Sequence, residues 1–556
     1  MLAEGDVRKL SIMDKEVVQR IYFAVRDEQW LSINPVLTDF EADSKNFKFI
    51  YRYRLTFQES PVCFIADLLI VIDSDQIVIE ATGEACSDFK KNRIGLCVHI
   101  PASLKGTRCN VHHSNNKSTV TKLPLLVSPH QPIKDISVLE LLFDEFSTNI
   151  NFEGDVFEME DQRNWTDASY KVYSTPLEIP FPVKMRKGDK FYQKITISVS
   201  NNCVSSNDVL LANTAPTYNN DISSKEKLLL PPKFGFIMPD NIMKEEWDSI
   251  FQKNNFPFSF LRIDFRFNDE GWEKQVDKAL RFAQRMEISI YAMLYFGDRY
   301  KNEIVDFQKI CNRFSLQKKT SYVSILSSQE FVLSDSRFQW LITEMRTLIP
   351  NASIGGGTDA NFAQLNRGFP SVHGLDFICY SIQPQEHATD LLSIVENIMG
   401  QRDTVETAHA KSKGKSVHIT ALSLYRRFNA NITKTSPDNN IPFYSYAGSD
   451  FEAAWFIGSL HQLISSGAEV ITLIFYPHVK SPFFLFLDKL ETHNVEGFYT
   501  EGSASPDKYA LLSWKLNGEK HTVIANVTQD AITVLYDGME LKLEPYKMKM
   551  IKKIIN

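Results

Sequence analysis

Beyond Pro231 the chain settles into short apolar, β-branched runs alternating with longer segments of helical period, and that rhythm restricts the fold sharply. Residues 233–238, 259–267, 288–296, 322–326, 352–356, 375–381, 417–424 and 469–475 read as strands; 272–286, 335–348, 389–397 and 451–466 read as helices between them. Eight βα repeats in roughly 250 residues is the stoichiometry and size of a TIM barrel. A doubly wound sheet would carry a Gly-rich phosphate loop after its first strand, whereas here the first run ends in Met238-Pro239-Asp240.

A chain of 556 residues is too long for one core, because cores stop growing at roughly 250–300 residues. Residues 1–225 carry aromatic and β-branched runs at 17–25, 47–57, 69–79, 95–100 and 190–199, separated by turn residues, the texture of a sandwich. The Asn-, Ser- and Thr-rich stretch 205–227 is the best linker. Short strands return at 509–516, 521–526, 532–536 and 547–551. The expected architecture is multidomain α/β plus all-β: an N-terminal β-sandwich over 1–225, a catalytic TIM (β/α)8 barrel over 226–484, and a small β-domain over 485–556.

Charge excludes one class of partner. A net charge of −7 offers no basic footprint for nucleic acid, which needs cations to neutralise phosphates. The densest basic cluster, 547–553, alternates Lys with Met and reads as a strand with a solvated face. Seven cysteines without a C-x-x-C pair fit a reducing compartment, where cysteine serves as a small apolar residue. No basic region precedes an apolar run at the N-terminus, and the apolar stretch 64–72 is broken by Asp67, so neither a signal peptide nor a membrane span is expected. The expected location is the cytoplasm, with no membrane partner.

Barrel chemistry sits at the C-terminal ends of the strands. The second strand ends Leu261-Arg262-Ile263-Asp264-Phe265-Arg266, with Arg262, Asp264 and Arg266 on one face. Buried charges are costly unless paired, so this is either an internal ion pair or a substrate-facing cluster. The fifth runs into Gly355-Gly356-Gly357-Thr358-Asp359-Ala360-Asn361, where three glycines allow close backbone approach and exposed amides; the plainer reading is a tight turn with Asp359 as helix cap. Asn366-Arg367 follows. The sixth ends Gln383-Pro384-Gln385-Glu386-His387, where a histidine can be an acid, a base or simply a hydrogen-bonded loop residue. Glu330 closes the fourth, but the seventh, running to Leu424-Tyr425-Arg426-Arg427, has no carboxylate, which counts against a retaining glycosidase with its two facing acids.

Outside the barrel, Phe157-Glu158-Met159-Glu160-Asp161-Gln162-Arg163-Asn164-Trp165-Thr166-Asp167-Ala168-Ser169 packs four acids, an arginine and an indole into thirteen residues. Composition alone makes it a polar turn, while alternation would align Glu158, Glu160 and Gln162 on one strand face. This stretch, continued by Thr175-Pro176-Leu177 and Pro180-Phe181-Pro182-Val183, resembles the signature of the D-apionate lactonase family. So do Ala24-Val25-Arg26-Asp27, Asn92-Arg93-Ile94-Gly95-Leu96-Cys97, Ser128-Pro129-His130-Gln131-Pro132, Leu365-Asn366-Arg367 and the ends of the fifth and sixth strands. The resemblance covers most of the chain. It implies a β-domain, a TIM barrel and a small β C-terminus, and an enzyme that opens D-apionolactone to D-apionate. One departure stands out: where the family tends to end the eighth strand with an acid, this chain has Phe475.

The resulting expectation is a metal-free, cofactor-free carboxylic-ester hydrolase acting on a small-molecule sugar lactone by water attack. No H-E-x-x-H occurs, and the adjacent His112-His113 would point to opposite faces of a strand. Glu160, Asp264, Asp359 and His387 are the catalytic candidates. Glu158, Asp161, Arg163, Asn164, Trp165, Asp167, Arg262, Asn361, Arg367, Gln385, Tyr425 and Arg427 are the binding candidates, with Arg163, Arg367 or His387 as oxyanion donors. The rival readings are a TIM-barrel glycoside hydrolase acting on a small sugar or plant glycan, and a non-catalytic sugar-binding relative. The scheme requires the acidic, tryptophan-bearing stretch to meet the barrel mouth.

Overall fold

Apolar alternation at period two organises the first 201 residues. In the computed structural model, which describes residues 2–3, 5–45, 48–201, 217–220, 227–238, 257–427, 446–475 and 480–554, this region forms two antiparallel sheets, one of eight strands and one of nine. Their inner faces share one core: Phe23 of Lys15–Asp27 meets Phe57 and Phe64 of the other sheet at 5.8 and 6.0 Å between ring centroids. That is a β-sandwich. The run read at 69–79 is not one strand but the join of a hairpin, Val62–Ile72 with Gln76–Ala85; apolar residues on both sides hide the short Asp73-Ser74-Asp75 turn. Most of the proposed linker lies outside the described residues.

Eight parallel strands then close into a barrel. These are β1 (Lys233–Ile237), β2 (Phe260–Arg266), β3 (Ser289–Phe296), β4 (Thr320–Ser327), β5 (Ser353–Asn361), β6 (Phe377–Ile382), β7 (Ser416–Ser423) and β8 (Val470–Ile474). The interior is filled by Phe260, Tyr291, Met293, Tyr295, Leu326, Phe377, Cys379 and Val470, so it is a packed core rather than a pore. Two strand glycines make room for the rings: a Cβ at Gly235 would lie 2.0 Å from the Phe260 ring, and one at Gly355 2.1 Å from that of Phe377. His418 stacks on Phe377 at 3.6 Å, where burial holds its imidazole well below the usual histidine range.

The chain divides into two compact units where three domains are expected: Met1–Arg163 with Ala168–Ala212, and Asn164–Asp167 with Asn213–Asn556. The C-terminal strands belong to the barrel's unit because they pack on its helices. Helix Asp450–Ser465 is buried along nearly its whole length and packs against strand Tyr509–Leu516 and helix Pro482–Leu490, with Phe456 stacked on Phe483 at 4.1 Å. The tail forms a three-stranded and a five-stranded sheet, each completed by a strand from before the barrel, Thr217–Asn220 and Leu228–Leu229, and packs around Tyr509, Leu511, Ile524, Val534, Tyr536 and Leu543.

Candidate active site

Period-two spacing on β2 sends Arg262 into the top of the barrel, where its guanidinium is fully buried. A buried cation needs matched partners, and Arg262 has two. It donates to Asp359 with Nη1 and Nη2, both at 2.7 Å, and to Asp264 with Nε and Nη2 at 2.8 and 2.9 Å. Nη1 also donates to the Thr420 carbonyl at 2.9 Å. Arg262 is thus an internal ion pair, while the Asp264 side chain keeps 18% of its surface open. Arg266 lies over the Tyr295 ring at 3.7 Å and reaches Asp264 at 3.3 Å.

Asp359 is placed by an irregularity in β5. A Cβ at Gly356 would lie 2.4 Å from Phe338, and Gly357 adopts φ +146°, with a Cβ there meeting the Cys379 carbonyl at 2.2 Å. The ladder to β6 shifts register between Gly357 and Asn361. The three glycines thus serve packing and the bulge rather than presenting amides, and the helix cap is Asn361, not Asp359. Asp359 accepts from Arg262, from Arg427 Nη2 at 2.9 Å and Nη1 at 3.3 Å, from Tyr295 Oη at 2.9 Å and from Thr420 Oγ1 at 2.9 Å. Burial would raise its pKa, but Arg262 and Arg427 drive it far below the carboxylate range. This corrects the assignment of Asp359 as a catalytic acid or base: a carboxylate so held gives up and takes no proton near neutrality. Asp264 is likewise lowered, the pull of Arg262 outweighing burial.

The β6 loop carries a second set of groups. Gln383 donates to Asn361 Oδ1 and to Glu386 Oε2, both at 3.1 Å, and accepts the backbone N–H of Arg427. Asn361 donates to Glu386 at 3.3 Å, and Arg426 stands 3.6 Å from the same carboxylate. Next to it His387 Nδ1 bonds the Asp167 carboxylate, whose other oxygen accepts from Asn397 at 2.7 Å. A carboxylate accepts only, so neutral His387 carries its proton on Nδ1 and its lone pair on Nε2. Around this pair, Trp165 meets the His387 ring edge-on at 5.8 Å and takes Arg367 over its face at 5.2 Å. Thr166 donates to the Gln383 carbonyl at 2.7 Å, and Asn366 to Asn164 at 2.9 Å. Asn164–Asp167 is thus built into the ends of β5 and β6.

Its neighbours in sequence are not. Asp161 and Arg163 form an ion pair at 2.7 Å with both side chains fully enclosed in the first unit. Arg163 also donates to the carbonyls of Pro124 and Leu125 at 2.9 and 3.2 Å, and Glu158 is bound to Tyr173 Oη and the Leu177 amide at 2.6 and 2.7 Å. These three binding assignments, and Arg163 as oxyanion donor, are corrected: all three side chains are buried and bound to groups of their own unit, so none is open to a substrate. Glu160 is paired there with Gln162 and Lys171 at 3.0 and 3.3 Å. In the barrel, Gln385 donates to the Leu424 carbonyl at 2.6 Å, and burial raises the Tyr425 phenol. Glu330, more than half exposed, pairs with Arg337 at 3.3 Å; with Tyr295, Ser327, Thr358 and Asp359 it lines a narrow cleft of about 10 Å³. Sequence reasoning assigned no role to Glu386, Tyr295, Gln383 or Thr420. For Glu386 the signal was there, a carboxylate beside the chosen histidine at a strand end.

Among the described residues no group of three or more His, Cys, Asp or Glu side chains is placed to hold a metal ion, and no helix is long and apolar enough to cross a membrane. Phe475 follows β8 directly and packs against Phe258 and Phe483 at 5.9 and 5.6 Å, so no acid stands at that position.

The family models for the D-apionate lactonase N-terminal domain and its TIM barrel domain match residues 1–202 and 235–480. A D-apionate lactonase from Brucella anthropi is 22% identical, over 99% of this chain and 95% of its own length. Among solved structures, a family 30 subfamily 8 xylanase from Clostridium acetobutylicum aligns at TM-score 0.38 and 8% identity, over 61% of this chain and all of its own. A beta-arabinopyranosidase aligns at TM-score 0.31 and 8% identity, over 98% and 96%. Likenesses that weak carry no weight for chemistry. The two domain matches and the end-to-end relative place this chain in the D-apionate lactonase family, as a lactone-hydrolysing enzyme.

Proposed function

We propose that this enzyme opens D-apionolactone, or a closely related sugar lactone, to its acid by direct attack of water on the ring carbonyl. The observation that carries the reading is the pairing of Asp167 with His387 Nδ1 at the end of β6, which directs the basic nitrogen of a neutral imidazole away from its orienting carboxylate. His387 Nε2 takes a proton from water as the new C–O bond forms. It returns that proton to the ring oxygen as the tetrahedral intermediate collapses and the ring C–O bond breaks. General base catalysis of this kind contributes roughly 10²–10⁴-fold. The arginines of β2 and β7 supply the charge for the oxyanion: Arg262, Arg266 and Arg427 stand against Asp264 and Asp359. Arg266, the least buried of the three at 14%, is the donor; removing a donor of this type costs about 2.7–4 kcal/mol of transition-state stabilisation. Asp264 holds Arg262 and Arg266 in place. Trp165, Arg367 and Tyr425 shape the sugar-binding surface, while Asn164 and Asn361, both buried, hold the strand-end loops behind it.

The test is acid release followed with a pH indicator, using D-apionolactone, other aldonolactones and aryl glycosides in parallel. We expect turnover of a lactone, no glycoside cleavage, and a loss of about 10²–10⁴-fold in kcat for His387→Asn with KM little changed. Full turnover in both His387→Asn and Asp264→Asn would remove this site from the reaction. Sugar release from a glycoside, or lactone binding without acid release, would replace hydrolysis of a lactone by one of its rivals.

A further inference from the structure

The sandwich places two cysteines opposite each other that lie far apart in sequence. Strands Val62–Ile72 and Gln76–Ala85 pair antiparallel with Phe64 facing Ala85. One step outward the Cys86 amide donates to the Cys63 carbonyl at 2.8 Å, so the next facing pair is Cys63 and Cys86. Beyond them the Ser87 hydroxyl donates to the Pro61 carbonyl at 2.7 Å, and the two segments stay in step. The Cys86 thiol donates to the Glu84 carbonyl at 3.9 Å, and the neighbouring Cys63 thiol adds to the burial that keeps it protonated. Directly opposed residues of a hydrogen-bonded antiparallel pair have Cα atoms about 5.5 Å apart, inside the roughly 4.4–6.8 Å window that a disulfide requires. Both residues are half-buried, so a small reagent reaches them, unlike Cys97, Cys109, Cys311 and Cys379 in the cores.

From this juxtaposition we infer that Cys63 and Cys86 form a reversible dithiol–disulfide couple, closed by exchange with a small-molecule disulfide such as oxidised glutathione. Burial pushes the Cys86 thiol up, so the first attack falls to Cys63. Its thiolate displaces one half of the disulfide, forming a mixed disulfide and releasing one thiol. Cys86, on losing its proton, attacks the Cys63 sulfur, closes the protein bond and releases the second thiol. Two protein thiols are oxidised and one disulfide is reduced to two thiols. In a reducing compartment such a pair is reversible rather than a permanent staple.

Trypsin provides a direct readout, because no Lys or Arg lies between Arg54 and Lys90, and the peptide 55–90 contains these two cysteines and no others. The full-length protein is equilibrated with oxidised glutathione, alkylated with iodoacetamide under denaturing conditions, digested and weighed. The expected peptide has lost two hydrogens and carries no alkyl label. It regains both labels after dithiothreitol, and in Cys86→Ser it carries glutathione on Cys63 instead. A wild-type peptide that keeps two alkyl labels, or that stops at a glutathione adduct, would overturn the couple. The assay reads no lactone chemistry, so its outcome is independent of the proposed activity.

Discussion

Replacing Asp359 by Asn changes one oxygen to an amide nitrogen at the point where the barrel's charges converge. The carboxylate satisfies two buried guanidiniums, with side chains of Arg262 and Arg427 exposed by 0% and 5%, and takes two hydroxyl hydrogen bonds besides. Asparagine keeps the volume but offers one acceptor oxygen, and its amide points donors at donors. Removing one partner of a buried pair costs about 3–5 kcal/mol, because the surviving charge is left uncompensated. Asp264 still holds Arg262 through two bonds, so the lower half of that range falls to Arg262 and the remainder to Arg427. At roughly 1.4 °C per kcal/mol, from about 2.1 cal/mol/K per residue over a unit this large, the transition of the barrel unit should move down by about 4–7 °C in a calorimetric scan. The sandwich transition should stay in place. Thr420→Val is the internal control: it removes one hydroxyl hydrogen bond to the same carboxylate and should cost about 1.5–3 kcal/mol, less than loss of the charge itself. If Asp359→Asn unfolds within about 1 °C of the parent, less than the shift expected for 1 kcal/mol, the view of Asp359 as the counter-ion of the cluster is wrong.

Three further substitutions probe the same frame. Gly355→Ala puts a methyl group 2.1 Å from the Phe377 ring and should cost about 1–3 kcal/mol in urea unfolding through overpacking, with partial recovery in the Gly355→Ala, Phe377→Leu double variant. His461 is held down to about 4 by burial, aided by Arg402; the unfolded chain therefore binds a proton first, and stability present above pH 6.5 is lost as pH falls toward 4. Over that window the loss attributable to His461 is about 3 kcal/mol, and urea midpoints for His461→Gln should show a shallower decline, the remainder coming from buried His418. Phe475→Glu restores an acid to the end of β8 but sets it among Phe258, Phe483 and Phe484. It should lower the thermal midpoint and leave acid release no faster; a rise in kcat would mean that the acid is needed and that its loss impaired this chain.

Several elements were legible because one periodicity accounts for them. The strands Tyr509–Leu516 and Ile532–Tyr536 begin and end where apolar alternation does, and the βα rhythm from residue 233 onward becomes the closed barrel. The same period selected Arg262, Asp264 and Arg266 on β2. It did not reveal that Arg262 is clamped between Asp264 and Asp359, since that pairing joins strands 97 residues apart in sequence, and no local pattern encodes which distant strand faces which. Period alone also merged the 69–79 hairpin into one strand, because three polar turn residues weigh little between two apolar runs.

The thirteen residues from Phe157 to Ser169 mark the boundary between the two kinds of knowledge. By itself the sequence determined their composition and the family they signal, because both are properties of residue order. Tertiary structure alone decided that Asp161 and Arg163 are enclosed in the sandwich while Asn164–Asp167 joins the barrel. The physical reason is that a charged side chain has no fixed fate of its own. Whether it becomes an internal ion pair, as Asp161 does, or orients a histidine, as Asp167 does, is set by which partners folding brings within hydrogen-bond distance and how much water it leaves beside them.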